Sequence, residues 1–159
     1  MLYIGKMLRR LLLLSVPVAL LFAADKPNYS GQWTVDLAKS DFGMMPPPEK
    51  LERTIDHKDP EISIQTLQVG ARGEMKTDSK YTTDGKEATI QVRGREAKVK
   101  AKWDGNKLTV NTKSEFQGME VGQKEIWILS EDGKTLTIEN AISTPQGDFT
   151  TKSVFTKGS

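Results

Sequence analysis

Residues 97–116, Ala97-Lys98-Val99-Lys100-Ala101-Lys102-Trp103-Asp104-Gly105-Asn106-Lys107-Leu108-Thr109-Val110-Asn111-Thr112-Lys113-Ser114-Glu115-Phe116, carry the strongest structural signal in the chain. Ala97, Val99, Ala101 and Trp103 fall on one face of an extended backbone, opposite Lys98, Lys100 and Lys102. After the turn, Leu108, Val110, Thr112, Ser114 and Phe116 oppose Thr109, Asn111, Lys113 and Glu115. A period of two is that of a strand with one face buried and the other in water. Asp-Gly tolerates the positive torsions of a tight turn, so Asp104-Gly105-Asn106 folds the two halves into a hairpin.

The same turn signal returns at Asp84-Gly85-Lys86 and Asp132-Gly133-Lys134. Around these turns the alternation continues. Trp33, Val35 and Leu37 share a face; so do Leu51, Arg53, Ile55 and His57, and likewise Met75, Thr77, Ser79 and Tyr81. Leu136, Ile138, Asn140 and Ile142 form a further face, followed by Phe149, Thr151, Ser153 and Phe155. Ile62 and Ile64 fit the pattern, but it slips before Leu67 and Val69, where a bulge is expected to restore inward placement. Regular hairpins with one polar face build a closed barrel or a two-sheet sandwich. Local turns favour up-and-down order over the long crossings of a Greek key. The expected fold is all-β: a single antiparallel up-and-down barrel of eight to ten strands, spanning residues 25–159.

Residues 1–24 have a different character. Lys6, Arg9 and Arg10 precede an apolar run from Leu11 to Phe22, then Ala23-Ala24 and polar Asp25-Lys26-Pro27, the layout of a cleaved secretory signal. The run is short for a bilayer span, although with its flanks it could stay as an uncleaved anchor; once it is removed, no stable membrane insertion is expected. The expected location is periplasmic or secreted. The whole chain has 23 basic and 21 acidic residues; the signal holds three basic ones, leaving 20 against 21, net −1. The apparent basicity therefore belongs to targeting and gives no support for nucleic-acid binding. With no cysteine, disulfides and cysteine-linked lipid are both excluded.

The inward faces become polar along their length, since Ile55 leads to His57, Val110 to Thr112 and Ser114, and Met75 to Thr77 and Ser79. Buried hydroxyls need partners, whereas hydroxyls lining a hydrated cavity have them. Arg53 on such a face could grip a carboxylate through two parallel hydrogen bonds, or form an end-of-strand salt bridge. His57 either meets cargo or supports the turn at Asp59-Pro60. The expected ligand wall is Arg53, His57, Met75, Thr77, Tyr81, Val110, Thr112, Ser114 and Trp127. Met44 and Met45, in a loop stiffened by Pro46-Pro47-Pro48, either touch cargo or pack the loop. Arg95, Lys98, Lys100 and Lys102 form an outer basic stripe that attracts an anionic partner or simply keeps the strand soluble.

Gly31-Gln32-Trp33 resembles the Gly-x-Trp that opens the first strand in the lipocalin and fatty-acid-binding-protein group. The resemblance implies that Trp33 seals the base of the barrel. Lys102-Trp103-Asp104-Gly105-Asn106-Lys107-Leu108 resembles the Trp-Asp-Gly hairpin of intracellular lipid-binding proteins, and similar order continues through Glu131 to Ile138 and the final strand. The chain also resembles uncharacterised exported bacterial proteins with a lipocalin-like domain. Two departures stand out. Residues 38–50 hold three consecutive prolines where that family inserts two short helices, and the terminal Arg-x-Tyr is replaced by Lys152-Ser153-Val154-Phe155.

Catalysis has little to draw on: one histidine, no cysteine and no Gly-x-Ser-x-Gly elbow. Asp56-His57-Lys58-Asp59 lacks structural-zinc spacing, and no phosphate-binding glycine loop appears, so neither metal nor cofactor is expected. The sequence is therefore read as an exported, non-catalytic protein holding a small hydrophobic or amphipathic molecule in its barrel. The alternatives are a filled barrel that contacts another envelope protein or, more remotely, an enzyme.

Overall fold

The computed structural model describes residues 25–159; the signal segment expected at 1–24 lies outside them. Ten strands follow one another: β1 (Gly31–Val35), β2 (Lys50–Lys58), β3 (Glu61–Gly70), β4 (Gly73–Thr82), β5 (Ala88–Val92), β6 (Arg95–Asp104), β7 (Lys107–Phe116), β8 (Met119–Leu129), β9 (Thr135–Thr144) and β10 (Gly147–Lys157). They form one antiparallel sheet in the order β4-β3-β2-β1-β10-β9-β8-β7-β6-β5, in which β10 returns to pair with β1. The result is an up-and-down barrel, nearly closed. At the seam between β4 and β5 the contact is an isolated bridge, Asp84 with Lys102, beside a bond from the Gly85 N–H to the Ala101 carbonyl of 2.8 Å. Asp84-Gly85-Lys86 thus carries the chain across the seam rather than closing a hairpin.

Glycine supplies the positive φ in these turns: 84° at Gly85, 61° at Gly105 and 70° at Gly133. The aspartates at two of them fasten the loop. Asp84 accepts from Thr82 Oγ1 at 2.6 Å and the Lys86 N–H at 3.1 Å, and Asp132 from Ser130 Oγ at 2.6 Å and the Lys134 N–H at 3.0 Å. At the opposite end, Arg93-Gly94 and Gln117-Gly118 have positive φ at both positions, 52° and 75°, then 52° and 76°. That is type I′ geometry, whose twist matches the flanking strands.

The expected bulge in β3 is absent. Its ladders run without interruption from Lys58↔Glu61 to Lys50↔Val69 on one side and from Glu61↔Thr82 to Gly70↔Gly73 on the other. Tight turns at both ends fix the register, so Leu67 faces outward between Glu52 and Lys76, and Val69 between Lys50 and Glu74. Thr66 and Gln68 point inward instead. Leu37 and Phe116, both expected inside, are exposed: Leu37 lies past the end of β1, and Phe116 stacks under Arg95, 4.5 Å from the guanidinium.

Every Asp-Gly turn lies at one end of the barrel, and the core is concentrated there. Tyr29, Trp33, Ile55, Ile62, Ile64, Tyr81, Leu108, Trp127, Leu136, Ile138 and Phe155 form a continuous buried cluster that runs on up the barrel through Val110, Ala101, Val99 and Leu51. Fully burying one large aliphatic or aromatic side chain contributes roughly 1.5–3 kcal/mol. The far end carries the short I′ turns and the loop at residues 36–49. That loop contains no helix, and Asp41 pairs with Lys152 on β10 through two backbone bonds of 2.7 Å.

Candidate functional site

Aromatic side chains close the base. Trp33 Nε1 donates to the Tyr29 carbonyl at 2.8 Å, and the Tyr29 hydroxyl donates to the Trp127 carbonyl at 3.2 Å. His57 and Trp103 stack around Tyr29 with centroid separations of 5.6 and 5.9 Å, and Trp127 meets it edge-on at 5.4 Å. Burial pushes the Tyr29 phenol far above its ordinary range, partly offset by the Leu108 backbone. His57 belongs to this plug. Its Nδ1 accepts the Tyr29 N–H at 3.2 Å, which leaves Nε2 to carry the proton towards Asp59 Oδ1 at 3.4 Å. Asp59 Oδ1 also accepts from Thr83 Oγ1 at 2.6 Å and Trp103 Nε1 at 2.9 Å. Burial opposes ionisation of Asp59, but the bonds from Thr83, Trp103 and His57, with Lys26 nearby, outweigh it and hold the carboxyl below its usual range.

Above the plug the wall turns polar. Trp33 pairs with Arg53, and Arg53 with Thr66 and then Thr77, in one row across β1–β4. Across the barrel, Ala101, Val110, Glu125, Asn140 and Thr151 form the row of β6–β10. The two rows meet at an ion pair: Arg53 Nη2 lies 3.5 Å from Glu125 Oε1. Glu125 also accepts from Gln123 Nε2 at 3.2 Å and Trp127 Nε1 at 2.8 Å. The guanidinium sits 5.5 Å from the ring centroids of both Trp127 and Phe155. Tyr81 is close enough to feel the pair. Burial drives its phenol far above the ordinary range, Glu125 adds to that, and Arg53 acts against it.

Towards the rim, burial becomes uneven: Ala97 and Val99 on β6 and Leu51 on β2 stay buried, whereas other inward positions do not. Thr112, Gln123, Ile142 and Phe149 make one complete row across β7–β10, and all four are half-buried. An open cleft of about 440 Å³ runs along these strands, lined by these four and by eight neighbours of outward parity, Lys113, Lys124 and Asp148 among them. On the other side, Gln68, Met75 and Thr77 are equally half-buried, as is Ser79 beside Ile64 lower down, and Ser114 faces Val121 one inward pair below Phe116 and Met119. Arg53 and Glu125, at mid-barrel, keep 18 % and 13 % of their side-chain surface accessible. Solvent therefore reaches the ion pair from the rim.

The sequence-derived wall thus divides by depth. His57, Tyr81 and Trp127 lie in the base, Arg53 and Val110 at mid-barrel, and Met75, Thr77, Thr112 and Ser114 on the rim side. Val110 is buried beside Ala101 and Glu125. Glu125, Gln123 and Asn140 complete the polar belt, and sequence reasoning did not single them out as ligand-facing. The usable signal was their alternation with Trp127 on β8 and Ile138 on β9. Met44 is 95 % exposed and Met45 39 %, while Pro48 is buried. Lys152 points outward beside Asp41, opposite in parity to Phe155. On the basic stripe, Lys98 donates to Thr89 Oγ1 at 2.6 Å and Lys100 lies 3.4 Å from Glu87. Among the described residues, no group of three or more His, Asp or Glu side chains is placed to hold a metal ion.

No protein-family model and no curated protein sequence matches the chain. Solved structures do match. A secretory abundant heat soluble protein from Ramazzottius varieornatus has a TM-score of 0.59 at 17 % identity, over 82 % of this chain and 95 % of that one. Human cRBP IV has a TM-score of 0.53 at 19 % identity, over 83 % and 99 % of the two chains. The zebrafish ileal bile acid-binding protein complexed with cholic acid has a TM-score of 0.55 at 18 % identity, over 82 % and 98 %. The fold is a calycin-type barrel of the lipocalin and fatty-acid-binding-protein kind.

Proposed function

We propose that this protein is a non-catalytic carrier that holds a small hydrophobic or amphipathic molecule inside the barrel. The observation that carries the reading is the gradient of burial along the inward rows. The base is packed shut; above it β6 and β7 stay buried through Ala97, Val99, Ala101 and Val110, while Arg53, Thr77, Thr112, Gln123, Ile142 and Phe149 are only half-buried, which supports room for a small molecule on that side of the barrel. Met75, Ile142 and Phe149 offer apolar wall to a hydrocarbon chain. Arg53, Thr77, Thr112, Ser114 and Gln123 share the inward parity and orient its polar end. Binding of cholic acid by a protein of the same fold supports a container of this kind. His57, Tyr81, Val110 and Trp127 contribute as the floor and lower wall. Export to the periplasm or the medium is part of the proposal and rests on the charged, apolar and small-residue pattern of residues 1–24.

The test is native mass spectrometry of protein purified without detergent, followed by displacement of an environment-sensitive fluorophore. The displacers are fatty acids, long-chain alcohols, monoglycerides and bile salts. A co-purifying small molecule, or saturable displacement by at least one class, is expected. Neither event across the panel would point instead to a filled barrel that acts through its surface on an envelope partner.

A further inference from the structure

We infer that the polar end of the cargo is uncharged and supplies both a hydrogen-bond donor and an acceptor, as a long-chain alcohol or monoacylglycerol does, and that Glu125 excludes free carboxylates. The inference deepens the carrier reading and rests on it.

Consider the charges on the inward rows. Between the base aromatics and the rim residue Arg95, Arg53 and Glu125 are the only charged side chains on those rows among the described residues. They lie 3.5 Å apart and cancel. Both oxygens of Glu125 are already engaged, Oε1 by Gln123 and Arg53 and Oε2 by the Trp127 indole at 2.8 Å. A ligand carboxylate seeking Arg53 would have to sit beside Glu125. Two carboxylates sharing a poorly hydrated site repel, and the barrel supplies no second cation there.

A neutral head meets no such penalty and finds partners waiting. Arg53 Nε and Asn140 Oδ1 have no hydrogen-bond partner and almost no accessible surface, so a head group meets them once these two side chains turn towards it. Asn140 is paired in register with Glu125, which places both orphans on the mid-barrel belt. Buried polar groups without partners are costly, so a ligand that satisfies them gains what the empty protein lacks. One unpartnered atom is a donor and the other belongs to an amide. A hydroxyl, which both donates and accepts, matches the amide whichever way it is turned. Gln123, half-buried on the rim side of the pair, adds a further amide, and Ile142 and Phe149 beside it continue as apolar wall.

Three probes of equal hydrocarbon length test this: hexadecanol, monopalmitoylglycerol and palmitate, each displacing the same fluorophore at about pH 8, where a carboxylic acid is ionised. Wild-type protein is expected to bind the two neutral probes at least about tenfold more tightly than palmitate. Glu125→Gln keeps the shape and an acceptor for Trp127 but removes the charge. It is expected to tighten palmitate by about tenfold or more while moving hexadecanol by less than about threefold. Equal wild-type affinities for palmitate and hexadecanol, or a ratio unmoved by a folded Glu125→Gln, overturn the inference and leave the carrier reading intact. Should Glu125→Gln not fold, Glu125→Met answers the same question: tighter palmitate binding relative to hexadecanol is expected, and an unmoved ratio overturns the inference. No saturable binding of any probe by the wild type rejects the carrier reading and this inference with it.

Discussion

Replacing Asp59 with alanine removes the oxygen shared by Thr83 Oγ1 at 2.6 Å, Trp103 Nε1 at 2.9 Å and His57 Nε2 at 3.4 Å. Thr83 and His57 are 2 % and 3 % exposed, so two of these donors sit beyond the reach of bulk water. A buried donor left unpaired costs about 1–3 kcal/mol, which sums to about 2–6 kcal/mol for two. The Asp59 side chain is itself 36 % exposed, and the space it vacates admits water, so the loss lies in the lower part of that range, about 2–3 kcal/mol. With a urea m-value of about 1–3 kcal/mol/M, the unfolding midpoint at neutral pH drops by about 0.7–3 M. Asp56→Ala, on the exposed face of the preceding strand β2, serves as the control and changes stability by no more than about 0.5 kcal/mol. The pH dependence has a definite sign. The folded-state pKa of Asp59 is depressed, so its contribution is complete above the unfolded value near about 4 and fades as pH falls through the lower folded value. The gap between wild type and Asp59→Ala therefore narrows on acidification below about pH 4. A loss under about 0.5 kcal/mol at neutral pH, or a gap that persists unchanged in acid, would show that Asp59 does not hold the plug together.

Three further outcomes follow from the register and the packing. Leu67→Thr, on the outer face between Glu52 and Lys76, shifts stability by less than about 1 kcal/mol, whereas Ile62→Ala in the core costs about 2–5 kcal/mol in chemical denaturation; comparable losses would restore the bulge. Trp33→Ala, which vacates a site 1 % exposed and loses the bond to Tyr29, costs about 3–5 kcal/mol by the same measurement. Gly118→Ala forces a side chain onto φ of 76° and lowers stability by about 1–2 kcal/mol, although nothing lies within 4 Å of the added Cβ.

The strands and their faces were legible because each hairpin alternates cleanly on its own, as Ala97–Trp103 and Leu108–Ser114 do, and the structure keeps those faces. What escaped depends on neighbours in space. The outward turn of Leu67 is set by the two ladders of β3, which no local pattern records, and an apolar outer position reads in sequence as a slip. Arg93-Gly94 and Gln117-Gly118 escaped because arginine and glutamine do not announce a positive φ; the turn holds them there through the strands on either side. Arg53 was recognisable as inward from Leu51 and Ile55, and both an ion pair and a ligand contact were open. The structure supplies the ion-pair partner, Glu125, from a strand 72 residues away, and adjacency on that scale is a property of barrel closure. Likewise, His57 showed its proximity to Asp59 but not the Tyr29 amide that fixes its tautomer, because residues 25–30 have no periodicity to place them.

Filling the proposed container from within separates binding inside the barrel from binding on its surface. Thr112→Trp places a large side chain on a half-buried inward position that lines the cleft, away from the base plug. The account predicts that fluorophore and ligand titrations saturate for the wild type and fail for a Thr112→Trp protein with an unchanged melting temperature. Equal saturation by both proteins would contradict it, since the molecule would then be bound somewhere other than inside the barrel.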